Sequence, residues 1–462
     1  MEKFDIAIIG AGPGGYVAAI RGAQEGKKVC VFEKKHIGGV CLNEGCIPTK
    51  TLLRSVFSFN EVKKAKKFGV SGVNEDAVHI DLPKLQTLKK DNIRKLSSGV
   101  ASLLKANGVT VYNEIASLFD KNTILFGDQR IFARNIILAS GSFPLVPSIP
   151  AEENAPEILT SSDALNLSNI PERIAILGGG AIGVEFAYFF SQIGVNVTII
   201  ELLPQILTTV DDEIAALVTK DLEKTGVTIL TEAKATKLGQ GRVFYSMKGE
   251  EGAVEADSLL IAIGRRPCVE GLGLERIGVK MNQGVDTDAF MRTSVPGVYA
   301  IGDVNGKSML AHTASMEGLI AIEHILGGNR RMDYRNIPSC VYIQPEIASV
   351  GMTQAQASKK YGNVRVGKFP LLANGKAVVE DEERGVVKVI ASEKHGEILG
   401  VHIYSPHATD MIAEAALALG LEATTEEMTN TIHPHPTFSE IIPEAFHVLL
   451  EKPIHFMGRG KR

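Results

Sequence analysis

The stretch FDIAIIGAGPGG, residues 4–15, sets the class of fold. Its short Ile-rich run bounded by glycine has the character of a buried parallel strand. YVAAIRGAQEG (16–26) follows with helical spacing, and KVCVFEK (28–34) is a second strand. Strand, glycine turn, helix and strand make a βαβ unit. Gly10, Gly12 and Gly15 permit a tight turn and close backbone approach to a pyrophosphate, while the helix N-terminus offers free N–H groups and partial positive charge. Glu33 ends the second strand, where a carboxylate can accept bonds from ribose hydroxyls. A glycine turn alone is weak evidence for a dinucleotide site. Here the strand, helix and acid all stand in their required places.

Segment 172–201 repeats the unit without a gap. Adding 168 to each number carries Ile6 to Ile174, Ala7 to Ala175, Ile8 to Ile176 and Val29 to Val197. The same offset carries Gly10, Gly12, Gly15 and Glu33 to Gly178, Gly180, Gly183 and Glu201. Two dinucleotide sites in one chain suggest two cofactors that exchange electrons. At the second site, Glu201 is followed by LLPQIL with no Arg or Lys nearby. A 2′-phosphate would meet a carboxylate and no cation, so NAD is expected over NADP. Glu185, just inside the second helix, is expected either to complement the helix dipole or to contact the cofactor.

The whole chain has 462 residues, 45% hydrophobic and 22% charged, the composition of a soluble globular protein of three or four domains. A net charge of −4 does not suggest a nucleic-acid surface. No apolar run approaches the ~20 residues of a membrane span. MEKFDIAIIG shows neither a basic n-region nor a cleavage site, so a bacterial-type cytoplasmic location is expected; a processed mitochondrial matrix chain would read the same. The odd count of 5 cysteines argues against a secreted disulfide framework.

Between the repeats, residues 84–106 are lysine-rich and helical in pattern, and VTVY, TILF and NIILA within 109–139 read as strands. SGSFPLVPSIP (140–150) reads as an interdomain connection. SLLIAIG (258–264) and VYAI (298–301) are further buried strands. From about residue 337 the pattern changes: SCVYIQPEIASVG, VVKVIA and ILGVHIY predict antiparallel strands, and ATDMIAEAALAL an apolar helix. The tail GRGKR is basic and expected to be mobile.

GGVCLNEGCIPTK (38–50) carries Cys41 and Cys46 in a Cys-x4-Cys spacing. No second pair of ligands follows, so a zinc site is disfavoured and no metal is expected. A regular helix would hold α-carbons five residues apart at roughly 8–9 Å, too far to bridge. Gly45 and Pro48 can distort the backbone, which leaves open either a reducible disulfide or two buried thiols. Lys50 is then a surface charge or the partner of a buried carboxylate. Cys30, Cys268 and Cys340 lie in apolar contexts and read as inert buried thiols. HPHPTFSE (433–440) admits a metal site, ordinary loop residues, a Thr437-x-x-Glu440 capping box, or a His435–Glu440 acid/base pair.

GGVCLNEGCIPTK, the two glycine frames, GVYAIGDV (297–304) and HPHPTFSE together resemble the disulfide-containing flavoprotein reductases, over essentially the whole chain. Within them, GGYVAAIRGAQ and the CLNxGCIP core resemble the branch acting on protein-bound dihydrolipoamide. The resemblance implies an α/β fold of two Rossmann-like dinucleotide-binding domains, a central domain and a C-terminal α+β dimerisation domain. The divisions expected are 1–143 for FAD, 144–267 for NAD, 268–336 central and packed with the FAD domain, and 337–462 for the homodimer interface. It implies a redox disulfide between Cys41, the outer interchange sulfur, and Cys46, the inner one beside the flavin. Lys50 would stabilise negative charge on the reduced flavin. His435, oriented by Glu440, would be the acid/base residue completing the partner subunit's site, while His433 has no assigned role. Asp303 would contact the flavin ribitol side and Ala311 the isoalloxazine. Further contacts are implied for FAD at Lys34, Gly39, Val40, Ala116, Ser140, Gly141 and Gly302, and for NAD at Ile182, Ala235 and Gly264. Implied partners are lipoyl-bearing carrier domains and the acyltransferase core or its binding domain. Glu44 departs from the pattern, where a small apolar residue is frequent. An NADPH-dependent reductase of the glutathione reductase type is the alternative, against which Glu201 and the missing arginines speak.

Overall fold

The computed structural model describes residues 1–457; the tail GRGKR lies outside the described residues. Strand Glu2–Ile9 runs parallel between Val29–Phe32 and Gln129–Leu138 in a seven-stranded sheet. Thr110–Tyr112 extends it on one side. On the other, Thr123–Phe126 and Ala116–Asp120 fold back antiparallel. The strand at 116–120 was not read from the sequence: its Leu118 alone is fully buried, and the adjacent Phe119 points to solvent and breaks the apolar–polar alternation. Val298–Ala300 also joins this sheet, parallel to Gln129–Leu138, so the chain returns to its first sheet after building the second.

The second sheet is all parallel, in the order 228–230, 196–200, 173–177, 258–261, 157–159. Its register repeats the first. Ile6 faces Val29 and Ile9 faces Phe32, while Ile174 faces Val197 and Leu177 faces Ile200, each pair displaced by 168. The connection at 140–150 is not wholly irregular: Ser142–Pro144 pairs antiparallel with Arg265–Pro267, binding the outgoing and returning crossings together. A three-stranded antiparallel meander, 233–255, caps this part.

Residues 339–405 give a five-stranded antiparallel sheet covered by helices Ala408–Gly420 and Ile441–Leu449. One apolar core joins Leu52, Leu53 and Val56 to Phe186, Tyr188 and Phe190 and to Val341, Ile343 and Tyr404. All three parts thus share buried surface, the main source of their mutual orientation. Among the described residues, no helix is long and apolar enough to cross a membrane.

Candidate active site

The two glycine frames match bond for bond. Gly10 N–H donates to the Phe32 carbonyl at 2.8 Å, and Gly178 N–H to that of Ile200 at 2.9 Å. Glu33 accepts from Ala11 N–H at 2.9 Å and Lys35 N–H at 2.8 Å. Glu201 accepts from Gly179 N–H at 2.6 Å and Leu203 N–H at 2.8 Å. Both acids therefore sit at the mouth of their glycine turn. A Cβ on Gly15 would lie 1.9 Å from the Gly10 carbonyl oxygen, and one on Gly183 2.0 Å from that of Gly178, so neither position tolerates a side chain. Gly12 and Gly180 differ: a Cβ on Gly180 would meet open space, and one on Gly12 only the Gly39 α-carbon, at 4.0 Å. They cap helices Pro13–Gln24 and Ala181–Gln192 without any side-chain cap, which leaves those N–H groups free for a diphosphate.

The Cys41–Cys46 segment is not one helix. Gly45, at φ −146° and ψ −103°, ends helix Gly39–Glu44 and caps helix Cys46–Lys64. Pro48 falls in the first turn, where it costs no hydrogen bond. Both cysteines carry free thiols. The Cys41 thiol donates to Cys46, which lowers the Cys46 thiol to about 7 against the cost of burial, with further help from the Lys50 ammonium. The same bond and burial push the Cys41 thiol strongly up. Cys46 is therefore the sulfur prepared to hold negative charge, at a helix N-terminus that favours it.

Lys50 lies one turn beyond Cys46 and meets a buried carboxylate. Its Nζ is 3.0 and 2.9 Å from the two oxygens of Glu185, which is 5% exposed. Glu185 also accepts from Tyr342 N–H at 3.0 Å, and Lys50 Nζ lies 4.3 Å above the Tyr342 ring. Glu185 is thus engaged by the dithiol helix and by the segment that leaves the C-terminal strand Ser339–Val341. Tyr342 carried no signal in the sequence. Ile182 stays in the first turn of its helix. Glu44 forms a salt bridge with Lys35 and lies 3.5 Å from Ser162 Oγ.

Asp303 sits in the short helix Gly302–Asn305 and accepts from Ser142 Oγ at 2.5 Å. Arg265 donates to Ser142 Oγ and to its carbonyl, both at 2.8 Å. Burial lowers the Arg265 guanidinium from its ordinary value. Beneath this turn the fully buried Glu317 accepts from Gly302 N–H, from Asn305 Nδ2 at 3.0 Å and from Tyr334 OH at 2.6 Å. Ser142, Arg265, Glu317 and Tyr334 were missed. A single acid in the apolar run SMEGLIAI was the available clue to Glu317. Ala311 opens the helix that carries it.

The remaining expected contacts scatter around these groups. Gly39 stacks its backbone on Gly12, with Val40 and Lys34 exposed nearby. Ser140 Oγ donates to the Cys268 carbonyl at 2.7 Å, and Gly141 accepts from Cys268 N–H at 2.8 Å. Ala116 opens its strand opposite Phe126. The Gly264 carbonyl accepts from Leu145 N–H at 3.0 Å. Ala235 faces Tyr245 in the meander, and it is Ala233 whose N–H reaches the Glu201 carbonyl, at 2.9 Å. Of the three other cysteines only Cys30 is buried; Cys268, just past strand Arg265–Pro267, and Cys340, in the middle of strand Ser339–Val341 against the C-terminal core, are half-buried.

At the C-terminal end, His435 Nδ1 is 2.9 Å from Glu440 Oε1, while Glu440 Oε2 accepts from Thr437 N–H at 2.8 Å. One carboxylate thus serves both the capping box and the histidine. Burial alone would raise the Glu440 carboxyl, but Thr437 N–H and His435 hold it below its ordinary value. His435 is 76% exposed, whereas His433, 7% exposed, is pinned to Glu414 at 2.9 Å. Among the described residues, no three His, Cys, Asp or Glu side chains gather as a metal cluster.

Two nucleotide frames, a cysteine pair between them and a separate antiparallel domain define a class of electron-transfer proteins. Residues 4–318 match the family model described as pyridine nucleotide-disulphide oxidoreductase, and 337–446 match its dimerisation domain. The chain belongs to this family. It is 41% identical to a dihydrolipoyl dehydrogenase of Thermus scotoductus, over 99% of this chain and 100% of the relative. It is likewise 41% identical to a dihydrolipoyl dehydrogenase of Geobacillus stearothermophilus, over 98% and 97%. Among solved structures it is similar to the HOCl-induced flavoprotein disulfide reductase RclA from Escherichia coli, at 28% identity, with a TM-score of 0.85 over 96% of this chain and 99% of that one. The family works with FAD and NAD, and the open cradles at Gly12 and Gly180 fit their diphosphates. The dimerisation domain fits the chain for pairing with a second copy.

Proposed function

We propose that this enzyme oxidises protein-bound dihydrolipoamide to lipoamide and reduces NAD⁺ to NADH. The single observation that carries the reading is the Cys41–Cys46 pair, split at Gly45, with its inner sulfur lowered to about 7 and backed by Lys50–Glu185. The full-length likeness to dihydrolipoyl dehydrogenases supports the choice of substrate.

In this reading His435 of one subunit takes a proton from a substrate thiol at the other subunit's Cys41. Glu440 holds the imidazole in the accepting orientation and stabilises its charged form. The substrate thiolate attacks Cys41 Sγ in the oxidised pair, and the Cys41–Cys46 bond breaks with Cys46 leaving as thiolate. The second substrate sulfur then attacks the first, which releases lipoamide and leaves Cys41 reduced. Two electrons have moved from the substrate into the cysteine pair. FAD at the first frame and NAD at the second supply hydride chemistry when bound. Lys50 stabilises negative charge beside Cys46, and Glu185 keeps Lys50 in place.

The proposed division of labour gives residues 1–143 and 268–336 to FAD, 144–267 to NAD and 337–462 to the dimer contact. Partners are lipoyl-bearing carrier domains and the acyltransferase core or its binding domain, in the bacterial cytoplasm. The test is an NADH–lipoamide assay with an NADH titration followed by absorption. Turnover together with a long-wavelength thiolate–flavin band is expected. Rapid glutathione reduction with NADPH in their place would refute the reading.

A further inference from the structure

A cavity of about 270 Å³ opens where the three parts of the molecule meet, at the far end of the dithiol helix. Asn60 on its rim stands roughly 20 Å along that helix from Cys46, at 1.5 Å per residue. Its walls are apolar and aromatic: Val218, Leu222 and Ile343, with Tyr188 and Tyr404. Two acids line it, and both are neutralised. Asp221 takes Lys224 Nζ and Tyr404 OH, each at 2.8 Å. Glu382 takes Lys64 Nζ at 3.0 Å and Gln344 Nε2 at 3.1 Å. Two cations on the rim, Lys63 and Arg384, make no salt bridge among the described residues. An apolar floor under surplus positive charge is the chemistry of a small-carboxylate site.

The cavity also stands at one end of a ladder between helices Cys46–Lys64 and Ala181–Gln192. Its rungs are Lys50–Glu185 at 2.9 Å, Phe57 against Tyr188 with ring centroids 6.0 Å apart, and Asn60–Gln192 at 2.9 Å. Glu185, Tyr188 and Gln192 are spaced i, i+3 and i+7, on one helix face. Tyr188, Gln192 and Asn60 line the cavity, while Lys50 and Glu185 close the ladder beside Cys46.

We propose that this cavity binds a small carboxylate with an apolar body, and that its occupancy is felt at Cys46 through the ladder. The binding is independent of the reaction assigned above; the coupling rests on Cys46 being the working thiolate.

Calorimetric titration of the FAD-loaded dimer with benzoate, benzamide and inorganic phosphate tests the site. Benzoate is expected to bind once per subunit, with benzamide at least tenfold weaker for want of charge and phosphate weaker for want of an apolar body. Lys63→Gln with Arg384→Gln, both exposed and therefore safe for folding, should weaken benzoate at least tenfold. Absence of saturable benzoate binding, or binding that ignores both substitutions, overturns the site. Benzoate should also shift the pH midpoint of the thiolate–flavin band in the reduced wild-type enzyme. Phe57→Leu removes the middle rung and should abolish that shift while benzoate still binds. A wild-type midpoint that does not move with bound benzoate overturns the coupling.

Discussion

Lys50 and Glu185 are 135 residues apart in the chain, yet the ammonium reaches both carboxylate oxygens, at 3.0 and 2.9 Å. Lys50 itself is about one-third exposed, 32%, but Glu185 is nearly excluded from water, so removing Lys50 strands the charge of Glu185. That costs on the order of 3 kcal/mol. Lys50→Met should therefore lower thermal stability and remove most of the thiolate–flavin band of the NADH-reduced enzyme, while Glu185→Gln, which removes a negative charge that raises the Cys46 thiol, should leave the band at least as strong. Calorimetry and absorption check this; an undiminished band in Lys50→Met would detach Lys50 from Cys46.

The Cys46 thiol is lowered to about 7 first by the hydrogen bond from Cys41 and then by Lys50. Its thiolate fraction rises with pH, so the band of the reduced enzyme should grow as pH climbs through that value. Cys41→Ala removes the donor and should move the midpoint upward, toward the ordinary thiol range near ~8.5. A titration of band intensity against pH in both proteins gives the answer.

His435→Gln should slow lipoamide turnover by about 100-fold or more, the scale of a lost general base. NADH oxidation by an artificial dye should stay near wild type. Equal loss in both assays would remove His435 from thiol deprotonation. Glu440→Ala should in addition lose about 1 kcal/mol of stability, because the same carboxylate caps Thr437 N–H.

Glu201 accepts two backbone bonds at the second glycine mouth, where ribose hydroxyls are read. Glu201→Arg should cut the specificity for NADH at least tenfold, the worth of ~1.5 kcal/mol of charged hydrogen bonding, and raise that for NADPH. Paired kcat/KM measurements decide it, and an unchanged ratio would place the ribose elsewhere.

His433 has its folded-state pKa raised by the hydrogen bond to Glu414. The sign follows directly: the pair's stabilisation is fully present below the unfolded histidine value near ~6.5 and fades as pH rises through the higher folded one. Glu414→Gln should cost about 1 kcal/mol at pH 5.5 and little at pH 9, since Glu414 is partly solvated. Tm differences at the two pH values measure this.

The glycine frames were legible because their chemistry is local. Gly10, Gly15 and Glu33 answer to one turn and one strand end, and the 168-residue offset survives as identical strand register. The His435–Glu440 pair was legible for the same reason, five residues apart. Glu185 as the partner of Lys50, Glu414 as that of His433, and Glu317 beneath Gly302 were not, since each contact depends on how separate elements dock. Strand Val298–Ala300 was read as a strand, but only the closed sheet shows that it returns to the first one.

The break at Gly45 leaves the two sulfurs with very different footings. Cys46 belongs to a 19-residue helix rooted in the molecule's main core, and Cys41 to a 6-residue helix with no buried residue. In the proposed reaction, the lighter piece is the one expected to take up the displacement each time the bond between them opens or closes. The heavier one is expected to hold its distance to the group that receives its electrons, whatever the shape of the substrate that arrives at Cys41.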